Sequence, residues 1–96
     1  MLTSKQRAKL RGIASTGETI LQVGKGGVAE ALVKQVDDAL TARELIKLRV
    51  LETSPEPVRE VARQLAEATD SEVVQVIGMK LVLYRRNPEK PVVSLD

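Results

Sequence analysis

The 96-residue chain contains no cysteine and no histidine, a single aromatic side chain in Tyr84, and no apolar run close to the roughly 20 residues that cross a bilayer. Without cysteine there is no disulfide and no thiolate chemistry, and without cysteine and histidine the usual zinc sites are excluded. The missing histidine also removes the side chain that most often moves protons near neutral pH. One ring cannot build the stacking platforms on which RRM and OB domains hold bases. The adjacent carboxylates Asp37 and Asp38 would diverge by about 100° on a helix, so they cannot share a proton as a dyad, and solubility is their expected role. No enzymatic activity and no cofactor are expected. The N-terminal stretch Met1-Leu2-Thr3-Ser4-Lys5-Gln6-Arg7 lacks the apolar segment of a signal peptide, which makes a soluble, cytoplasmic protein the expectation.

What the chain does have is an uneven charge distribution. The formal net charge is only +2. Residues 1–25 carry Lys5, Arg7, Lys9, Arg11 and Lys25 against Glu18, and residues 80–96 carry Lys80, Arg85, Arg86 and Lys90 against Glu89 and Asp96. Residues 26–79 set six cations against ten acids. If the basic ends meet in the fold, the domain presents one side to a polyanion.

The other conspicuous feature is Val23-Gly24-Lys25-Gly26-Gly27-Val28, with three glycines in four positions around one lysine. Such a turn lets backbone N–H groups approach a phosphate, although it could equally be a tight turn and nothing more. Ile20-Leu21-Gln22-Val23 reads as a short strand leading into it. After it, Val28, Leu32, Val36 and Leu40 recur every fourth residue and predict a helix over about 28–41. No Ser, Thr, Asp or Asn caps that helix, so its first N–H groups need water or an anion.

The remaining elements follow from spacing and caps. Thr3 and Gln6 form a capping box ahead of a helix over about 4–14, with Leu10, Ile13 and Ala14 on its apolar side. Residues 44–51 alternate, with Ile46, Leu48 and Val50 on one face and Lys47 and Arg49 on the other, as a half-buried strand does. Ser54-Pro55-Glu56 has the form of a helix start, giving a third helix over 55–69 whose Glu56, Arg59, Glu60, Arg63 and Glu67 make a solvated, salt-laced face. Val73–Ile77 and Leu81–Tyr84 flank Gly78-Met79, a pair suited to a type II′ hairpin, and the tail from Asn87 reads as irregular.

The order is thus α-β-α-β-α-β-β in one domain over 1–96, with no repeat or linker. It predicts an α/β (α+β) two-layer sandwich on a mixed four-stranded sheet, with parallel pairing among the first three strands and an antiparallel closing hairpin.

Leu2-Thr3-Ser4-Lys5-Gln6-Arg7, Gly24-Lys25-Gly26-Gly27-Val28, Arg43-Glu44-Leu45-Ile46-Lys47, Val74-Gln75-Val76-Ile77-Gly78 and Leu81-Val82-Leu83-Tyr84-Arg85 together resemble the YhbY family, the single-domain bacterial form of the CRM domain. The resemblance covers nearly the whole chain in order. It implies an RNA-binding domain similar in fold to the C-terminal domain of translation initiation factor three, associated with ribosomal RNA in precursors of the large subunit. It also implies that Gly24, Lys25, Gly26 and Gly27 are the family's GxxG loop. A GxxG loop in KH domains clamps nucleic-acid backbone, and the residues here have the same chemistry.

The expected RNA contacts are therefore the Gly24–Gly27 loop with the following helix N-terminus, flanked by Lys5, Arg7, Lys9, Arg11, Lys47, Arg49, Lys80, Arg85 and Arg86. Arg85 and Arg86 point to opposite faces, so at most one lines a given surface. DNA and membranes are not expected partners. Two other readings stand beside this one. Gly24-Lys25-Gly26-Gly27-Val28-Ala29 also fits a dinucleotide fingerprint with Glu52 as its acid, in a chain short of strands for such a crevice. A protein-interaction module would use the third helix or a sheet edge.

Overall fold

Thr3 starts the first helix as its capping box predicts. In α1 (Ser4–Ser15) the Thr3 hydroxyl accepts from the Gln6 N–H at 3.1 Å, and the Gln6 side chain accepts from the Thr3 N–H at 3.0 Å. The computed structural model describes residues 2–89 and 91–93; Lys90 and Asp96, counted above in the basic end, and the tail's last residues lie outside these. Strand β1 (Leu21–Val23) runs into the glycine turn, and α2 (Glu30–Arg43) begins two residues later than its apolar spacing suggests. The cause is local: Gly27 takes φ +63° and Ala29 is extended, so Val28 and Ala29 connect rather than coil. As expected, α2 has no side-chain cap.

Strand β2 (Leu45–Val50) is followed by α3 (Val58–Thr69), which is entered through Pro57 and not at Ser54. The Ser54 hydroxyl donates to the Glu56 carbonyl at 2.9 Å, closing a local turn, and Ser54-Pro55-Glu56 is consequently loop. Strands β3 (Glu72–Ile77) and β4 (Lys80–Tyr84) are joined by Gly78-Met79, where Gly78 has the positive φ, +58°, that the first position of a type II′ turn requires.

The sheet is mixed and four-stranded, in the order β1-β2-β4-β3. Only β1 and β2 pair in parallel; β4 enters between β2 and β3 and is antiparallel to both, so the parallel pairing expected for the third strand does not form. The reason is burial. Leu81, Val82, Leu83 and Tyr84 are all buried, and a strand that is apolar on both faces belongs at the centre, whereas β3 carries Glu72 and Gln75 and takes the edge.

The helices divide between the two sides of this sheet. Val36 and Leu40 of α2 and Val61 and Leu65 of α3 pack on Val23, Ile46, Leu48, Val50, Leu81 and Leu83. This is the main pair of layers, and each buried leucine contributes about 1.5–3 kcal/mol. Across the sheet, Leu10 and Ala14 of α1 close a smaller core with Val74, Val82 and Tyr84.

Two polar clusters tie the end of the sheet away from the glycine turn. Glu44, expected in β2, instead caps α2 with φ +64° and is fully buried. Its carboxylate accepts from the backbone N–H groups of Asn87 at 2.6 Å, Val93 at 2.7 Å and Val92, holding the tail against the domain. Burial pushes this carboxyl up, but the three N–H donations and the nearby Arg86 charge outweigh it and hold its pKa below the ordinary value. Arg85 meanwhile donates to Asp37 Oδ1 at 2.6 Å, Thr41 Oγ1 at 2.8 Å and the Thr69 carbonyl at 2.8 Å. Asp37 is therefore a structural partner rather than a solubilising charge.

Candidate nucleic-acid interface

The glycine turn is closed by the Gly27 N–H, which donates to the Gly24 carbonyl at 3.0 Å. Gly27 is required twice over: it has φ +63°, and a Cβ there would stand 2.9 Å from Pro55 Cγ. Gly26 meets neither condition, since its φ is not positive and a Cβ would find nothing within 4 Å; at Gly24 a Cβ would make ordinary 3.6 Å contacts with Leu51 and Thr53. Turn geometry thus explains one of the three glycines. Lys25 and Gly26 are exposed, and Lys25 has no ion-pair partner among the described residues.

The surroundings of this turn differ in charge from side to side. Toward the helices, Glu30 stands in the first turn of α2, and a Glu56 carboxylate oxygen would lie 3.8 Å from a Cβ on Gly27. The other Glu56 oxygen is buried without a partner among the described residues. Toward the sheet the sign reverses. On the face that α1 partly covers, the row nearest the turn runs Gln22, Arg49, Lys80, Ile77 from β1 to β3, with Arg49 directly opposite Lys80. Like charges facing each other across a strand pair are destabilising, and neither cation has an acidic partner among the described residues.

The next row runs Lys47, Val82, Gln75. The Lys47 ammonium donates to the Ala14 carbonyl at 3.2 Å, completing the C-terminal end of α1. Because α1 crosses only part of the face, an open groove of about 630 Å³ remains between it and the sheet, lined by Arg11, Lys47, Arg49 and Lys80 over Gln75, Ile77, Met79 and Val82. The Val50 N–H donates to the Met79 carbonyl at 2.7 Å and the Leu51 N–H to the Val23 carbonyl at 2.8 Å. The hairpin tip, the groove and the glycine turn therefore share one end of the sheet.

Of the residues expected to flank the turn, the fold brings together Arg11, Lys47, Arg49 and Lys80. Arg7 donates to the Val73 carbonyl at 2.5 Å, where a register shift between Val73 and Gln75 interrupts β3, so it anchors α1. Lys5 and Lys9 are offset by about 200° around α1 from Arg7 and Arg11 and stand on its other flank. Arg85 is committed to α2 and α3 as described, and Arg86 lies near Glu44 and Tyr84 at the opposite end of β4. The two basic ends do not meet beside the turn as one block. Sequence reading passed over Gln75, Ile77 and Met79; the signal available was the two-residue hairpin, which sets Ile77 opposite Lys80.

A model of the CRS1/YhbY (CRM) domain matches residues 2–85. The chain belongs to this family. Among CRM relatives, it is 44% identical over 95 residues to a Bacillus subtilis protein named "Probable RNA-binding protein YqeI", covering 99% of both chains. It is 32% identical over 88 residues to a Haemophilus influenzae protein named "RNA-binding protein", covering 92% of this chain and 89% of that one. The solution structure of hypothetical protein SAV1595 from Staphylococcus aureus superposes with a TM-score of 0.83 at 47% identity over the full length of both chains. Among the described residues of this CRM domain, no cluster of acids is placed to hold a metal ion, and no helix is long and apolar enough to cross a membrane.

Proposed function

We propose that this CRM domain binds structured RNA with the sheet face beside its glycine turn, and that it serves as an assembly factor on precursors of the large ribosomal subunit. The observation that carries the RNA reading is the facing pair Arg49 and Lys80. Two unpartnered cations held opposite each other cost stability, and a phosphate between them would turn that repulsion into two charge-assisted contacts. The exposed Lys25 and Gly26 of the turn extend the same surface along an RNA strand. Relatives that match over most of their length bear RNA-binding names, which agrees with this chemistry.

The sole aromatic residue does not contribute a stacking platform, because Tyr84 is 5% exposed beneath α1. The dinucleotide alternative gains nothing from the geometry: β1 is an edge strand with one parallel neighbour, so no crevice between diverging parallel strands lies beyond the glycine turn. The assembly role rests on the family. Crosslinking in cells followed by sequencing is expected to recover large-subunit ribosomal RNA, with the protein sedimenting alongside precursor particles. A protein that stays in the free fraction while precursors accumulate would remove the assembly role.

A further inference from the structure

The groove beside the glycine turn is not simply a basic strip. Ile77 and Met79, 58% and 42% exposed, line it beside buried Val82, together with Arg49 and Lys80. The Gln75 side chain, half-buried in the same groove, makes no hydrogen bond among the described residues. A surface that only tracks duplex phosphates has no use for an apolar lining or for an unpartnered amide. A ligand with a charged end, a flat apolar body and a hydrogen-bonding edge uses all three.

We propose that this groove seats one unpaired nucleotide of the bound RNA, its phosphate between Arg49 and Lys80, its base over Ile77 and Met79, and its base edge at the Gln75 amide. The inference rests on the RNA-binding reading and adds the form of RNA recognised. The groove's volume, about 630 Å³, falls within the roughly 300–1,000 Å³ of small-molecule sites and admits a nucleotide but not a duplex. An amide offers both donors and an acceptor, which suits the Watson–Crick or Hoogsteen edge of an exposed base. With no aromatic ring in the lining, the base is covered from the helix side by the guanidinium plane of Arg11, a recognised substitute for an aromatic platform. An acidic peptide would engage the same cations but leave Gln75 and the apolar lining unused.

The test compares two RNA hairpins of identical stem, one carrying 2-aminopurine as a single bulged nucleotide and one fully paired, by fluorescence anisotropy. The bulged hairpin is expected to bind roughly tenfold more tightly, about the discrimination that one well-seated base confers. Its 2-aminopurine emission is expected to rise as the base leaves the helical stack for a groove without aromatic rings. In Gln75→Ala and Ile77→Ser, checked for folding by circular dichroism, the affinity ratio should fall toward one and the emission change should shrink. Equal affinities with unchanged emission would overturn the nucleotide seat and leave the RNA reading standing. Failure of both hairpins to bind would overturn the two together. A preference for the bulge that survives in both folded variants would place the base elsewhere, and displacement of RNA by polyglutamate with no preference between hairpins would assign the groove to an acidic protein.

Discussion

At the residue scale, the glycine turn separates what the backbone needs from what a ligand needs. Gly27 is held by its φ and by Pro55, whereas position 26 is sterically open and position 25 exposed. Replacing Lys25 and Gly26 together with aspartate is therefore expected to change folding stability by less than about 1 kcal/mol, because aspartate suits exposed turns. The same variant should lose at least about tenfold in RNA affinity, since a charge-assisted contact worth roughly 1.5–3 kcal/mol is replaced by repulsion. Chemical denaturation and a binding titration on one preparation decide the point; unchanged affinity would make the turn purely structural. Arg49→Glu carries a sharper forecast. It places a carboxylate opposite Lys80, exchanging a repulsive cross-strand pair for an attractive one of about 0.2–1 kcal/mol, so the melting temperature should hold or rise while RNA affinity falls by roughly tenfold. A variant less stable than the parent, or one that binds equally well, would contradict the role given to this pair.

At the element scale, the domain is held at its two ends by different means. Near the turn, hydrogen bonds from Val50 to Met79 and from Leu51 to Val23 draw hairpin, strand ends and loop together. At the far end Glu44 gathers the close of α2, the exit of β4 and the tail, since its carbonyl also accepts from the Arg85 N–H at 2.9 Å. A non-glycine residue at φ +64° is strained, and such strain of about 1–3 kcal/mol persists only where surrounding bonds over-determine it. The three N–H donations to the buried carboxylate are those bonds. Because the folded pKa of Glu44 lies below its ordinary value of 4.5, the native state binds this proton less readily than the unfolded chain. Its contribution is accordingly complete above that value and is lost as pH falls through the lowered folded pKa. Glu44→Gln should cost about 1–3 kcal/mol at pH 7, and the gap between variant and parent should narrow below pH ~4.5. Unfolding curves at several pH values test this, and a gap independent of pH would show that the charge of Glu44 adds nothing.

At the scale of the whole molecule, the net charge of +2 says little, and its placement says more. Arg11, Arg49 and Lys80, which have no ion-pair partner among the described residues, lie together on one sheet face near the turn, while Arg85 and Arg7, equally basic in sequence, are spent inside the fold. Binding should therefore be salt-dependent but limited in extent. For a few phosphates neutralised by Lys25, Arg49 and Lys80, the logarithm of affinity should fall with the logarithm of salt at about 0.7–0.9 per contact, and removing one of these side chains should lower the slope by about one contact. Replacing Arg85 should leave the slope as it is wherever the variant remains folded. Anisotropy titrations across a salt series distinguish these cases.

The sequence by itself determined the elements and their order, because caps, glycine positions and apolar spacing are local signals: Thr3 and Gln6 start α1, Gly78 turns the hairpin, and Ile46, Leu48 and Val50 mark the buried face of β2. It also singled out the glycine turn and the cations of β2. The tertiary structure alone decided which strand lies between β2 and β3, which helix covers which face, and which basic residues remain free. Those outcomes depend on pairings between residues far apart in the chain. Arg85 reads as one more surface cation until α2 brings Asp37 and Thr41 to it, and Glu44 reads as a strand residue until the tail returns to cover it. Lys80 likewise comes to face Arg49 only when β4 inserts beside β2, in a register that sets Leu48 against Leu81 in the core and keeps Lys47 and Arg49 out of it.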